Sequence, residues 1–380
     1  RVRCYANAVI IFKKRFSFMF LKKLGIHGLR NLSHNEVYLS PTSNFFYGVN
    51  GSGKTSLLEA IHVLGRGRSF RSRTLEPIIN EEEQACTVYG VVQAERSSVS
   101  LGVTRSRAKE FEFKMNGQKV NSASLLADTM PLLVLSADTF RLLDAGPQYR
   151  RQYIDWGVFH VERAYRSLLQ KFKRALKQRN SLLRCDRIDM SSLSVWDIEF
   201  VELADQINQY RKQYLEKLIE KIQWVIGEIT ELDGFDFKYF PGWDAAKNLS
   251  DVLYADRQRD VQMKATTHGP QRADLRVRFN MRPANEVLSR GQIKIVVTAM
   301  QVAQGYLYHE MTGQQCLYLL DDLPSELDLS HRKRVGGLLF RLGAQTFVTG
   351  VIREDLMSSW PIEDENVSMF HVEHGHIIQE

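Results

Sequence analysis

The chain has 380 residues, of which 44% are hydrophobic and 25% charged, so it can bury a full core, divides most naturally into two domains and is not disordered. Its net charge of +7 suggests a nucleic-acid partner, but residues 1–18 contain five cations and no acid, and without them only about +2 remains, so any such surface is a local patch. The four cysteines are scattered, which argues against a disulfide framework and predicts a reducing, cytoplasmic location. No run approaches the roughly 20 apolar residues of a membrane span, so the sequence does not indicate a membrane-spanning protein.

Residues 1–18 look foreign to the fold that follows. The chain begins with Arg rather than Met, and Met19 directly precedes the first patterned strand. We therefore expect an upstream translated or misassigned start. A secretory signal is the competing interpretation, but the apolar run at residues 9–12 is very short and basic residues follow it at once.

A glycine-rich loop, GVNGSGKT at residues 48–55, follows a predicted strand at 44–47 and precedes a predicted helix at 55–64. In the GxxxxGK[ST] pattern, glycines let backbone N–H groups point at phosphates, and the positive end of the helix adds to the attraction. We expect Lys54 to contact the β- and γ-phosphates of ATP and the Thr55 hydroxyl to bind Mg²⁺. A plain glycine turn would not explain these two residues. The predicted nucleotide-binding residues of the loop are Gly48, Val49, Asn50, Gly51, Ser52, Gly53, Lys54, Thr55 and Ser56.

Four arginines follow the loop helix closely, with Phe70 among them. Contacts from arginines near the nucleotide to the DNA backbone would couple DNA binding to the ATP state without reading sequence. A second basic cluster, at residues 171–179, is better explained as the solvated face of a helix, because a helix with an apolar stripe needs a polar back. The candidate DNA-binding residues are Arg66, Arg68, Arg71 and Arg73.

Strands and helices alternate along the rest of the chain. Short β-like runs occupy residues 20–39 and 86–120, with a hairpin turn at Asn116-Gly117, and a buried strand is predicted at 131–136. Helical patterns at 154–176 and 207–229 are long enough for a short hairpin but not for an extended coiled coil. We therefore predict an α/β fold in which an ATPase head, residues 19–153 and 265–380, surrounds an inserted helical arm at residues 154–264.

A strand ending in two acids is predicted at residues 317–322, as in a Walker B motif. Asp321 is expected to hold Mg²⁺ through water, and Asp322 to orient or deprotonate the water that attacks ATP. Strands that end in acids are common, so the pattern gains its meaning from the neighbouring motifs.

The sequence LSRGQ at residues 288–292 lies upstream of that strand. Alone it is an ordinary helix N-cap at Ser289. Beside a P-loop and a Walker B strand it predicts a signature motif, in which Ser289 and the helix dipole stabilise the γ-phosphate of ATP bound to a second subunit. Asp328 occupies the place of a D-loop at the dimer seam. The candidate catalytic residues are Lys54, Ser289 and Asp322, and the further nucleotide-binding candidates are Arg290, Gly291, Gln292 and Asp328.

Several colinear motifs resemble those of the bacterial RecF family of recombination mediators. They are GRSFRS at 67–72, VLSADTFRLLDAGPQYRRQYID at 134–155, THGPQRAD at 267–274, LSRGQ at 288–292 and LYLLDDLPSELD at 317–328. The resemblance covers the chain from about residue 19 to its end. It implies an SMC- and ABC-type ATPase head with a short arm, an ATP-dependent homodimer and slow ATP hydrolysis. It also implies binding to gapped, single-stranded and duplex DNA, and work with RecO and RecR in loading RecA during recombinational repair, replication restart and the SOS response.

The chain departs from related patterns at three positions. Gln271 stands where the family usually has His, Asp322 where many ABC ATPases have Glu, and Thr349 where a switch His is expected. These departures favour a switch over a fast motor, and we expect a weak DNA-dependent ATPase. The alternative function is the nucleotide-binding subunit of a membrane ABC transporter, which shares the three motifs but places the P-loop and the signature much closer together.

Overall fold

The computed structural model describes residues 19–72, 76–94, 97–108, 110–361 and 366–380. The predicted extension at residues 1–18 and the candidate Arg73 lie outside these ranges. Up to the longest helix, the elements in chain order are β1 Met19–His27, β2 Asn35–Tyr38, β3 Ser43–Tyr47, α1 Lys54–Arg66, β4 Ala85–Ala94, β5 Ser98–Ser106, β6 Phe111–Met115, β7 Gln118–Val120, α2 Ala123–Thr129, β8 Leu132–Leu135, α3 Arg141–Asp144, α4 Pro147–Val161, α5 Tyr165–Leu182 and α6 Met190–Ile229.

The remaining elements follow the longest helix. They are β9 Phe235–Phe240, α7 Leu249–Ala255, α8 Arg257–Met263, β10 Asp274–Phe279, β11 Arg282–Pro283, α9 Ala284–Val287, α10 Arg290–Thr312, β12 Leu317–Leu320, α11 Leu323–Glu326, α12 Leu329–Leu342, β13 Thr346–Gly350, α13 Arg353–Met357, β14 Val367–Glu373 and β15 His376–Gln379.

Two six-stranded sheets organise the head. One is antiparallel, in the order β2-β1-β4-β5-β6-β7, and the other has the order β15-β14-β3-β13-β12-β8, with β15 as its antiparallel edge strand and the other five strands parallel. Helix α1 is buried along nearly its whole length, and its Leu57 and Ile61 share a core with Leu24 of β1 and Phe347 of β13. Burial on nearly all sides fits the position of this helix between two sheets, although it includes polar residues such as the fully buried Glu59.

The parallel sheet is buried on both faces. Along β12, Leu317 and Leu319 join the core around α1, whereas Tyr318 and Leu320 join a second core formed with the helices that follow β8. This alternation is the two-residue period of a strand, and burial on both faces explains why residues 317–320 are all apolar.

The helical region differs from its predicted outline. The single pattern predicted at 154–176 is two helices, α4 and α5, separated at residues 162–164 where the backbone of Glu162 leaves the helical conformation. The second pattern begins at Met190, well before residue 207, and forms one 40-residue helix. Phe172 of α5 packs against Phe200 of α6 with ring centroids 5.2 Å apart, so these helices lie side by side. The arm boundaries at residues 154 and 264 stay a prediction.

The structure adds elements that the sequence analysis did not predict. Strand β9 pairs with β10 in a separate three-stranded sheet. After residue 350, β14 pairs in parallel with β3 and turns into β15 through His374 and Gly375, both at positive φ. Among the helices of the described ranges, none has the length and apolar character needed to cross a bilayer.

A buried ionic network fastens α5 to the segment ahead of β10. The Arg179 guanidinium, fully buried, donates to Asp260 at 2.7 Å, Asp197 at 2.7 Å and Thr266 at 2.8 Å. Asp260, also fully buried, accepts two further hydrogen bonds from Thr267. Such a network is costly to leave incomplete, because an unpaired charge would remain in the core.

We expect Asp260→Asn to destabilise the chain by about 3 kcal/mol, since it leaves Arg179 buried with one of its two carboxylate partners. Asp251→Asn is a matched control because Asp251 is exposed on neighbouring α7. The measurement is the urea midpoint of unfolding, followed by circular dichroism. Equal midpoints for the two variants would contradict a stabilising role for the network.

Candidate nucleotide-binding site

The candidate site lies where three neighbouring parallel strands end. Gly350 of β13 pairs with Tyr47 of β3, and Leu320 of β12 pairs with Val348 of β13. The loop after β3 and the acids after β12 therefore emerge at one edge of the sheet. Crevices at the carboxyl ends of such strands are the usual ligand sites of open α/β sheets.

Glycine is required at two points of the loop between β3 and α1. Gly48 has a φ of 150°, and a Cβ there would lie 2.2 Å from the Val372 carbonyl oxygen of β14. Gly53 has a φ of 121°, and a Cβ there would lie 2.8 Å from Leu32. Neighbouring backbone and side chains thus confine the loop to a path close to the start of α1, where the free N–H groups of a helix N-terminus can bind an anion.

Lys54 is the buried cation of the site. Its Nζ donates to the carbonyl oxygens of Gly48 at 2.7 Å and Val49 at 2.9 Å. Burial lowers the pKa of Lys54, while the negative charges of Asp322 and Asp321 act in the opposite direction. An ammonium held by two carbonyls inside a glycine loop suits a polyphosphate ligand, which would supply the charge that the carbonyls lack.

Two threonines hold the first acid of the Walker B pair. The hydroxyls of Thr55 and Thr349 donate to Asp321 Oδ1 at 2.9 and 3.0 Å. Burial raises the pKa of Asp321, and these hydrogen bonds oppose that rise. A hydroxyl and a carboxylate oxygen side by side are donors that Mg²⁺ accepts, since this ion usually keeps several waters and uses few protein ligands. Thr55 and Asp321 therefore fit the predicted Mg²⁺ site.

The second acid, Asp322, has an unusual backbone conformation. Its φ is +50°, and its N–H donates to the Thr349 hydroxyl at 2.8 Å. Its Oδ1 is buried and has no hydrogen-bond partner within the described ranges. A buried carboxylate oxygen without a donor is uncommon, and a water in this position would satisfy it. The geometry is compatible with a residue that orients water.

Asn31, in the turn between β1 and β2, was missed by the sequence analysis. Its Nδ2 donates to the Gly51 carbonyl at 2.9 Å, and its Oδ1 accepts from the Ser56 hydroxyl at 2.9 Å. It thereby ties the middle of the loop and the first turn of α1 to the turn that joins β1 and β2. Next to it, Arg30 makes a two-pronged contact of 2.8 and 2.9 Å with the fully buried Glu59 of α1. A polar pair in a turn has no periodic signal that would single it out.

Most of the predicted P-loop residues and both Walker B acids line a cavity of about 870 Å³. Its wall contains Asp321, Asp322, Thr349 and, from the loop and the start of α1, Asn50, Gly51, Gly53, Lys54, Thr55 and Ser56. The candidate DNA-binding arginines line two different cavities. Arg71 lines this cavity, whereas Arg66 and Arg68 line a different one. The three arginines within the described ranges therefore do not line one cavity, and the role of the four candidates in DNA binding stays a prediction.

The signature residues lie elsewhere on the same chain. Ser289 caps α10 by a capping box, in which its hydroxyl accepts from the Gln292 N–H and its own N–H donates to the Gln292 side chain. Ser289, Arg290 and Gly291 are exposed, and residues 288–292 do not line the cavity around Lys54. Asp328 caps α12 by accepting from the His331 N–H at 3.0 Å. Lys294 of α10 pairs with Glu326 of α11 at 2.6 Å and links these two regions.

The comparisons with known proteins agree with this geometry. A family model described as RecF/RecN/SMC N terminal domain matches residues 20–378. The chain is 46% identical to the DNA replication and repair protein RecF of Pseudomonas syringae pv. syringae over 95% of this chain and 98% of that protein. The chain belongs to the RecF family. The predicted family, the SMC- and ABC-type α/β head and the general role in DNA replication and repair are confirmed, and the transporter alternative is not favoured.

Solved structures extend the similarity to three dimensions. A structure of the recombination mediator protein RecF with ATP, described in the RecFOR pathway, superposes with a TM-score of 0.84 at 25% identity over 96% of this chain and 98% of that one. The Smc head domain of Pyrococcus furiosus bound to the C-terminal domain of ScpA has a TM-score of 0.57 at 14% identity over 95% and 96% of the two chains. The second likeness shows a shared fold alone.

We expect Thr349→Val to raise the Mg²⁺ concentration needed for half-maximal ATP binding about tenfold. Valine keeps the shape but removes the donor to Asp321 and leaves the partly buried Asp322 N–H without its acceptor, a cost of about 1–3 kcal/mol. Thr349→Ser, which keeps the hydroxyl, is the control and should behave like the unchanged chain. A Val variant with an unchanged Mg²⁺ titration would show that Thr349 does not position the two acids.

Proposed function

We propose that this RecF-family chain is an ATP-gated DNA clamp, in which two chains close around two ATP molecules and thereby grip DNA. The observation that carries the proposal is the division of the site. The cavity beside Lys54 is lined by the loop, the Walker B acids and Thr349, while Ser289 and its neighbours are exposed on another surface of the same chain. A second chain can supply them.

In the proposed dimer, each nucleotide is held from both sides. Lys54 and the loop N–H groups of one chain would bind the phosphates, and Thr55 and Asp321 would hold Mg²⁺, which neutralises phosphate charge when bound. Ser289 and the N-terminus of α10 would approach the γ-phosphate from the partner, with Asp328 at the seam. ATP that contacts both chains only in the closed state stabilises that state by mass action.

Hydrolysis would then open the clamp. Asp322 would orient the attacking water, and loss of the γ-phosphate would remove the group that Ser289 contacts. A side chain shorter than Glu in this place supports slow turnover, so we propose a weak, DNA-dependent ATPase that serves as a timer.

We propose further that the clamp binds gapped DNA and junctions of single-stranded and duplex DNA, and that it works with RecO and RecR in loading RecA. The similarity to a protein described as a recombination mediator in the RecFOR pathway supports this role. Because bacterial DNA lies in the cytoplasm, we propose that compartment for the chain.

The test is DNA binding to gapped, single-stranded and duplex DNA, each measured with ATP, with a non-hydrolysable analogue and without nucleotide. We expect tight binding to gapped or duplex DNA only with nucleotide, and loss of that response in Lys54→Ala. The affinity should fall steeply as salt is raised, because phosphate contacts release counterions. Binding that is indifferent to both nucleotide and DNA structure would refute the clamp.

A further inference from the structure

A second cavity, of about 670 Å³, shares no lining residue with the nucleotide cavity. We call it the α1–α4 cavity. His62 and Arg66 from the end of α1 line it, as do Tyr149 and Trp156 of α4. Its volume lies within the about 300–1,000 Å³ that is usual for small-molecule sites. Neither the P-loop nor the Walker B acids contribute to it.

The cavity wall contains cations that lack partners. Arg66, which is partly buried, and the exposed Arg68 and Lys173 line it. Within the described ranges none of these three side chains makes an ion pair or a hydrogen bond. Burial, and then the charge of Arg68, lower the pKa of Arg66 to about 10. A guanidinium that is desolvated without a counter-charge is unfavourable, and a bound anion would remove that penalty.

The two carboxylates of the same wall already pair with arginines that do not line the cavity. Asp155 pairs with Arg211 at 2.8 Å and accepts a hydrogen bond from Tyr165. Asp138 pairs with Arg141 at 3.0 Å. The three free cations are therefore not balanced by these carboxylates. The cavity suits an anion, and phosphate is one of the two groups, with carboxylate, that the guanidinium fork matches in geometry.

Aromatic surfaces surround the cations. The rings that line the cavity include Phe70, Tyr149, Trp156 and Phe159. Two imidazoles, His62 and His160, are uncharged near neutral pH because burial, together with the charge of Arg66, lowers the pKa of each to about 3.

The indole of Trp156 adds a polar requirement. Trp156 is more than nine-tenths buried, and its Nε1 has no hydrogen-bond partner within the described ranges. A buried N–H donor of this kind normally has an acceptor. A planar ligand with ring acceptors and a phosphate would satisfy the indole, the aromatic rings and the arginines together.

We propose that the α1–α4 cavity binds a nucleotide unit, with its phosphate on Arg66 and Arg68 and its base against the aromatic residues of α4. The same chemistry has two sources, a free mononucleotide and a nucleotide at the end of a DNA strand. This site goes beyond the proposed clamp, since it needs neither the P-loop nor a dimer.

The test uses the full chain with Lys54→Ala, so that nucleotide binding at the P-loop does not contribute. Binding of dTMP, of thymidine without phosphate and of a short, terminally phosphorylated oligothymidine is measured by calorimetry. We expect thymidine to bind at least about tenfold more weakly than its phosphorylated form, because a charge-assisted hydrogen bond is lost. Saturable binding of dTMP identifies a free nucleotide as a source, and binding of the oligonucleotide alone identifies a strand end. Binding of neither overturns the proposal.

Three further substitutions localise the site. In the Lys54→Ala background, Arg68→Gln should weaken phosphate binding about tenfold, and Trp156→Phe, which keeps a ring but removes the N–H, should weaken it about threefold. Arg259→Gln is the control, since Arg259 is an exposed cation outside the cavity. A photoreactive thymidine nucleotide should cross-link to peptides from α4. Equal effects of Arg68→Gln and Arg259→Gln, or cross-links confined to the P-loop, would overturn the assignment. Because Arg68 is exposed, its substitution is compatible with folding.

Discussion

A chain carrying Ser289→Asp is expected to bind ATP normally as a monomer and to lose ATP-dependent dimerisation. Aspartate caps a helix as well as serine does, so α10 should keep its N-terminus. In the dimer, however, the new carboxylate would face the γ-phosphate of the partner's ATP. Repulsion of about 1.4 kcal/mol at each of two sites lowers the association constant about a hundredfold. Sedimentation velocity with and without ATP measures this association constant.

Ser289→Asn separates the two functions of this serine. Asparagine also caps the helix but has no charge, so its dimerisation should be weakened far less than that of Ser289→Asp. If Ser289 were a helix cap and nothing more, both variants would dimerise like the unchanged chain. That outcome would show that Ser289 does not contact a nucleotide bound to the partner chain, and would contradict the proposed clamp.

Mixing two defective chains tests whether the site is shared. Lys54→Ala lacks the phosphate-binding amine, and Ser289→Asp lacks a usable signature, so each is expected to be inactive alone. A mixed dimer contains one intact site, made of Lys54 from one chain and Ser289 from the other. Hydrolysis should therefore reappear on mixing. Continued inactivity of the mixture would show that both residues act within one chain.

The sequence predicts the head well where its signals are local. The P-loop, the Walker B strand and the capped helix after LSRGQ are each contained in a few consecutive residues, and the structure has them within one or two positions of the prediction. Strand and helix types follow from periods of two and of three to four residues. These signals do not depend on which distant segment packs nearby.

Most features that the sequence did not predict depend on contacts between residues far apart in the chain. The apolar spacing through Val158, Val161 and Tyr165 continues without Pro or Gly, so no local signal marks the break between α4 and α5. The close approach of Gly48 to the Val372 carbonyl depends on the pairing of β14 with β3, two strands that are far apart in the sequence. The His-Gly turn between β14 and β15 is, by contrast, a local hairpin signal from which the two strands could have been predicted.

The arginines illustrate the same limit for the site. Arg66, Arg68 and Arg71 are close in sequence, and spacing alone suggests one patch. The chain turns back after α1, however, so that Arg71 reaches Glu59 at 3.7 Å beside the nucleotide cavity while Arg66 and Arg68 face the α1–α4 cavity. Composition identifies candidate residues for phosphate contact, and only the path of the chain determines which of them can act together.

Asp322→Asn is expected to slow ATP hydrolysis by about a hundredfold or more, because positioned acid–base groups contribute about 10²–10⁴-fold. Asparagine tolerates the positive φ of this position and keeps the backbone N–H that donates to Thr349, so the fold and the Mg²⁺ ligands should remain. ATP would still join the two chains, but the event that separates them would be rare.

The measurements are single-turnover hydrolysis and the lifetime of the ATP-bound dimer, with Asp251→Asn as the control for a lost surface carboxylate. In a timer, slower hydrolysis must lengthen the lifetime of the closed dimer and of its DNA complex by a similar factor. Unchanged hydrolysis would mean that another group activates the water. Slow hydrolysis with an unchanged lifetime would mean that nucleotide release, rather than bond cleavage, opens the clamp. The two outcomes distinguish a residue that performs the chemistry from a residue that only lines the site.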